Sequence, residues 1–275
     1  MIIFLDVDGT IVDYENKLPS SCEIAIKKAI ANGHTLVMCT GRSPSELSKD
    51  LIDLKIPGFI GGNGSYIEFN SKIIFKNSLS LNDCKEIIDF LKENDLEFFV
   101  EANSGLYASK HFETAAIPYM KEYVKGKGVD LVNFNLRKTM PHLIFGEKNL
   151  VRADVNKISY LLKDYKYHLL AKEKFPHLSN NTWGGNGHKA LFGDIGVSKI
   201  NKAFGIKKFL ELSKLKDEKI AAIGDAIVDL SMFEIADYKI AMGNACPELK
   251  QAASFITNDI NDDGIKKAFE YLGVI

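Results

Sequence analysis

The chain alternates short, unbroken apolar runs with longer stretches whose apolar residues recur every three to four positions. IIFL (2–5) and TLVMC (35–39) are runs of the first kind. An apolar run with no polar interruption predicts a strand buried on both faces, the habit of a parallel sheet. Between them, SCEIAIKKAIANG carries Cys22, Ile26, Ala29 and Ile30 at helical spacing. Ser20 and Glu23 are placed for a capping box at its start, and Gly33 for its end. SPSEL predicts a second helix start, with Ser43 as N-cap, Pro44 in the first turn and Glu46 as capping partner; GFIGG predicts a third short strand. Strand, helix and strand in this rhythm predict right-handed parallel crossovers, hence a doubly wound α/β sheet.

The pattern changes near residue 66. YIEFN and KIIFK flank Asn70 and Ser71 and predict a hairpin, and SLNDCKEIIDFLKEN predicts a helix with Cys84, Ile87, Ile88 and Leu91 on one face. From there to about residue 185 the order is irregular: LEFFVEA and PHLIFG predict strands, NLVRADVNKISYLL a helix. The α/β rhythm resumes after WGGNGHKALFGDIGV. SKINKAFGIKKFLELS predicts a helix, KIAAIGD a buried strand, DLSMFEIA a short helix, YKIAM and FIT two further strands, and DDGIKKAFEYLG a last helix. A sheet begun before an insertion and finished after it implies one core domain, residues 1–81 and 186–275, carrying an inserted α+β domain over 82–185.

The 35 basic and 36 acidic residues nearly cancel, so the chain shows no electrostatic footprint for nucleic acid or an anionic membrane. Cys22, Cys39 and Cys84 fall at apolar positions, and with Cys246 they form no CxxC pair, which predicts reduced thiols rather than disulfides or zinc ligands. The sequence starts directly on a strand with no basic leader, and no apolar run reaches membrane-spanning length. A cytoplasmic protein, monomeric or weakly dimeric, is expected. No GxGxxG and no P-loop occurs, which argues against a dinucleotide enzyme or an ATPase.

Ligands of open α/β sheets bind beyond the carboxyl ends of the strands. The first strand runs into Asp6 and Asp8, the second into Thr40, Gly41 and Arg42, and KIAAIGD into Asp225, with Asp229 one helical turn later. Lys199 opens the helix after the insertion, and Asn63 lies in the Gly-rich GGNGS. A carboxylate beside a core is costly unless it meets a cation or several donors. Singly, each residue reads as a turn, a cap or a solvated charge. Together at one sheet edge they point to a shared metal or reacting group.

DVDGT, TGR, the lysine of GVSK and GDAIVD resemble the four motifs of the haloacid dehalogenase (HAD) superfamily, in the order and spacing of its Cof-type (subfamily IIB) phosphatases. NGSYI (63–67), AMGNA (241–245) and DINDDGI (259–265) are similar to further stretches of that branch. The resemblance implies a Rossmann-like core with an α+β cap that sets substrate choice. It implies a Mg²⁺-dependent phosphatase of small phosphorylated metabolites, sugar phosphates or phosphorylated cofactors. Asp6 is then the nucleophile and Asp8 the general acid and base. Asp6 and Asp225 ligate Mg²⁺ with the Val7 backbone carbonyl, Asp8 belongs to the same set, and Asp229 acts through water or as an orienting group. Thr40 and Lys199 stabilise the transferring phosphoryl group, and Gly41, Arg42 and Asn63 join them around the substrate. Two positions depart from the pattern. Val228 stands where the fourth motif usually has asparagine, and Ile200 where glycine commonly follows the lysine. A phosphomutase, or a weakly catalytic phosphometabolite-binding protein, are the other readings, the latter suggested by Val228 alone.

Overall fold

A computed structural model describes residues 1–125, 130–185, 187–215 and 218–275. They form two compact units: Met1–Arg42, Leu47–Lys76 and Ile200–Ile275 make the first, Ser43–Glu46 and Asn77–Lys199 the second.

In the first unit, β1 (Ile2–Leu5), β2 (Thr35–Cys39) and β3 (Gly58–Gly61) run parallel, and the hairpin β4 (Tyr66–Phe69) and β5 (Lys72–Lys76) continues the sheet antiparallel. Asn70 and Ser71, both at positive φ (49° and 60°), make the two-residue hairpin turn. Helix Ser20–Ala31 lies between the first two strands, and Gly33 leaves it at φ 87°, where a side chain would be strained. The expected capping box is absent there. The N-cap position falls to Pro19, so Ser20 is already inside the first turn. Pro44–Glu46, which belongs to the second unit, is one 3₁₀ turn in which only half a box forms. The Glu46 carboxylate accepts the Ser43 N–H at 2.6 Å, while Ser43 Oγ pairs with Ser45 Oγ.

The second unit holds β6 (Phe98–Ala102), β7 (Gly105–Ala108), β8 (Leu143–Ile144), β9 (Val155–Leu161), β10 (Ser179–Trp183) and β11 (Phe192–Gly196) in one sheet of order β10-β11-β9-β6-β7-β8. Phe98 and Val100 join the apolar cluster of helix Leu81–Glu93, while Phe99 joins that of helix Phe112–Val124, so alternate residues of β6 serve opposite faces. The predicted helix over NLVRADVNKISYLL is instead β9, paired with β6 and β11. Val151, Val155, Ile158 and Leu162 fit a helical period, but β9 is buried on both faces, and that erases the alternation that marks a strand. β10 and β11 escape the sequence pattern because one is polar and the other glycine-rich. Gly193 is required where it stands, since a Cβ there would overlap the Tyr160 ring. The second unit therefore extends to Lys199, well past the expected boundary at 185, and Asn186 lies outside the described residues. On the face shared by Phe99, a buried row combines Glu101 with Ser159, whose hydroxyl donates to it at 2.5 Å, and with Lys157 at 3.5 Å. Burial, partly offset by Lys157, pushes the Glu101 carboxyl up to about 7.

The chain then returns to the first sheet with β12 (Ile220–Gly224), β13 (Tyr238–Ala241) and β14 (Phe255–Ile256), giving eight strands in the order β14-β13-β12-β1-β2-β3-β4-β5. β1, β2 and β12 are almost wholly buried, and Phe209 of helix Lys202–Ser213 meets Phe4 and Phe69 edge-on at 5.8 and 5.1 Å. The chain leaves β1 toward β2 on one side and later adds β12 on the other. The carboxyl ends of β1 and β12 thus flank the switch point at which open α/β sheets bind ligands. Among the described residues no helix is long and apolar enough to cross a membrane.

Candidate active site

Asp6 is the first residue beyond β1, and its N–H donates to Ile223 O of β12 at 2.9 Å, so sheet pairing fixes where its carboxylate starts. Asp225 is the first residue beyond β12, and Asp229 follows in the 3₁₀ turn Ile227–Asp229. One carboxylate oxygen from each of Asp6, Asp225 and Asp229 lies within 4.8 Å of the others, and all three residues are buried. Glycines make that crowding feasible: a Cβ at Gly9 would overlap the Asp225 carboxylate, and one at Gly224 the Asp229 side chain.

The cation inside this cluster is Lys202. Its Nζ lies 2.5 Å from Asp6 Oδ1 and 2.5 Å from Asp229 Oδ1, with the side chain 2% exposed. The expectation for Lys199 is thereby corrected. Lys199 is exposed, at φ 61° in the second unit, whereas the helix opens at Lys202 behind the Asn201 cap, whose side chain accepts the Phe204 N–H. Lys202, Ile206 and Phe209 share one buried stripe of that helix, which carries the ammonium inward. A lysine leading such a stripe was the signal that distinguished it from Lys199.

Burial raises Asp6 well above the ordinary carboxylate range, with Asp229 and Asp225 adding to it and Lys202 opposing. Burial likewise pushes Asp225 up to about 6. One lysine does not balance three buried carboxylates. Asp229 is fully engaged: Oδ1 takes Lys202, and Oδ2 accepts the N–H groups of Asp225 at 3.0 Å and Ala226 at 2.9 Å. Asp225 Oδ2 accepts the Tyr14 hydroxyl at 2.8 Å, while its Oδ1 is buried with no hydrogen-bond partner. Tyr14 escaped the sequence reading because it lies in an irregular loop with no periodic signal. So did the role of Asn244, whose amide donates to Gly9 O at 2.8 Å and whose oxygen accepts the Ile260 N–H, tying the first loop to the last ones.

The Val7 carbonyl does not serve the cluster as expected. It accepts the N–H groups of Ile11 at 2.9 Å and Val12 at 3.0 Å, which commits both lone pairs to the turn. Asp8 stands apart, 47% exposed, in a two-pronged ion pair with Arg42: Nε to Oδ2 at 3.0 Å and Nη2 to Oδ1 at 2.5 Å. Arg42 also donates to Asn16 Oδ1 at 2.6 Å. Thr40 is buried at the end of β2, and its Oγ1 accepts the Arg42 N–H at 3.1 Å. Asn63 sits in left-handed backbone, φ 55°, beside Gly41, and its N–H donates to Thr40 O at 2.9 Å. Val228 is 56% exposed in the turn before Asp229 and places no hydrogen-bonding side chain there.

The sequence matches the haloacid dehalogenase-like hydrolase family over residues 3–269. The chain belongs to that family. This HAD hydrolase is 28% identical to YkrA of Bacillus subtilis (strain 168), named as a phosphatase, over 100% of the chain and 98% of the relative. It is 26% identical, over 96% of the chain and 94% of the relative, to 5-amino-6-(5-phospho-D-ribitylamino)uracil phosphatase YwtE of the same organism. The fold is shared with the solved HAD subclass IIB sugar phosphatase BT4131, at 23% identity and a TM-score of 0.73, covering 100% of this chain and 99% of that one. The HAD hydrolase described here is accordingly a Cof-type phosphatase, a phosphoric monoester hydrolase.

Proposed function

We propose that this phosphatase is Mg²⁺-dependent and hydrolyses small phosphorylated metabolites through an aspartyl phosphate on Asp6. The observation that carries the reading is the buried trio Asp6, Asp225 and Asp229, with Asp225 Oδ1 lacking any partner. A hard divalent cation takes oxygen donors and would supply the charge that Lys202 alone does not. Asp6, Asp225 Oδ1 and a backbone carbonyl would hold Mg²⁺; with Val7 committed to its turn, that carbonyl falls to Asp8, and Asp229 orients from behind. Bound there, Mg²⁺ would neutralise charge on the phosphoryl oxygens.

Asp6 attacks phosphorus and the ester P–O bond breaks, while Asp8 delivers a proton to the leaving oxygen. Water then attacks the acyl phosphate, gives a proton to Asp8, and releases inorganic phosphate with the Asp6 carboxylate restored. For this Asp8 exchanges its ion pair with Arg42 for the ester oxygen. Lys202 screens the Asp6 carboxylate from the phosphate it approaches, and Thr40 offers its hydroxyl to the phosphoryl oxygens. The names of YwtE and BT4131 favour a phosphorylated sugar, or a uracil bearing a phosphorylated ribityl chain, as substrate. The choice among esters is assigned to the second unit.

A screen of phosphate esters, run with EDTA and then with Mg²⁺ restored, tests the reading. Turnover should vanish in chelator and return with Mg²⁺; unchanged turnover in chelator would exclude a magnesium site. Val228→Asn should raise kcat/KM for the best ester by between about threefold and a hundredfold, less than the full cost of an oxyanion donor because Lys202 and Thr40 remain. Val228 is exposed, so stability should change by no more than about 0.5 kcal/mol. Lowered turnover in that variant would mean the rim needs an apolar residue.

A further inference from the structure

The loop after the first motif is closed on itself. Asp13 Oδ1 accepts the N–H groups of Glu15 and Lys17, each at 2.9 Å, and the Asp13 N–H donates to Lys17 O at 3.0 Å. This Asx turn fixes the backbone between, so the residues it displays are held in place. Two of them reach the site: Asn16 grips Arg42, which holds Asp8, and Tyr14 extends its hydroxyl to Asp225 Oδ2 at 2.8 Å. Tyr14 is 43% exposed, yet its hydroxyl is spent on a buried carboxylate. The Asp225 carboxylate has a free torsion about its last bond, and without a tether either oxygen could turn inward. With Oδ2 taken by the phenol, the oxygen left without a partner is the buried Oδ1, on a carboxylate that clusters with those of Asp6 and Asp229.

We propose that Tyr14 is a positioning residue for the metal: its hydroxyl engages Oδ2 of Asp225 and so reserves Oδ1 for Mg²⁺. The inference rests on the magnesium reading above. Groups that hydrogen-bond to ligating carboxylates typically change metal affinity by about 10–100-fold when removed.

The test is Tyr14→Phe in the full chain, with Mn²⁺ titrated by electron paramagnetic resonance and displaced by Mg²⁺. Both dissociation constants should rise about tenfold, and kcat at saturating Mg²⁺ should recover to within about twofold of wild type. A merely structural tyrosine would lower the melting temperature and leave both affinities alone. Asp225→Asn separates the two ideas. If it loses Mn²⁺ while Tyr14→Phe binds like wild type, the role of Tyr14 is overturned and the metal site stands. If Asp225→Asn binds Mn²⁺ as tightly as wild type, the metal reading falls and Tyr14 falls with it.

Discussion

Asp6→Asn is expected to keep its fold and to lose phosphate release by roughly 10⁴ or more, the scale on which removal of a covalent nucleophile registers. The amide has nearly the shape of the carboxylate, and its oxygen can still accept from Lys202 Nζ. Its lone pair is a poor nucleophile, so the acyl phosphate cannot form. The fold should in fact gain in the absence of metal. Burial holds the Asp6 carboxyl well above its ordinary range, so Asp6 binds its proton more tightly folded than unfolded. The stability this contributes is present below the unfolded value and is lost as pH rises through the folded one. At pH 7 the wild type carries that loss and the asparagine variant does not. Its melting temperature in chelator should therefore be no lower than wild type. Labelling with ³²P-substrate should give an acid-stable, alkali-labile acyl phosphate in the wild type alone. Full turnover by Asp6→Asn would overturn the nucleophilic role.

Strands β1, β2, β3 and β12 were legible in the sequence because parallel strands buried on both faces leave continuous apolar runs, and little else does so at that length. The same double burial hid β9, because it lies in a stretch whose apolar residues also satisfy a helical period. β11 was hidden by Gly193, a residue chosen for the Tyr160 ring crossing it and against strand propensity. Missing that strand set the expected second boundary too early. Local capping turns on helix phase, which residue types alone did not fix to one position. Ser80 caps its helix by accepting the Asp83 N–H, whereas Ser20 lies one residue inside its own.

At the site, residue type and strand ends placed Asp6, Asp225 and Asp229 together, because each leaves a strand or the turn after it and the sheet does the rest. Sequence could not place Asp8 against Arg42, since a bidentate ion pair across 34 positions depends on how two loops fold over the sheet. Nor could it show that the Val7 carbonyl is used by the turn, which only the backbone hydrogen bonds reveal.

Lys202→Met is expected to be the most destabilising single change at the site, and Lys199→Met among the mildest. Lys202 is a buried cation between two buried carboxylates, Asp6 and Asp229. Removing one partner of such a group leaves charge with no counter-ion in a low-dielectric interior, which costs roughly 3–5 kcal/mol, far more than the net worth of the intact pairs. Methionine fills most of the volume, so the loss reports charge rather than a cavity. Protonation of Asp6 relieves the imbalance, so the deficit should be largest near neutral pH and shrink on acidification. Mg²⁺ should recover part of the stability without restoring turnover, which should stay down by roughly 10²–10³ as for loss of a preorganised transition-state donor. Lys199 is exposed, so its methionine variant should stay within about 0.5 kcal/mol of wild type and close to full activity. Urea unfolding of both variants at pH 5.5 and 7.5, with steady-state kinetics on the best ester, separates the two lysines. A crippled Lys199→Met beside a sound Lys202→Met would return the catalytic role to Lys199.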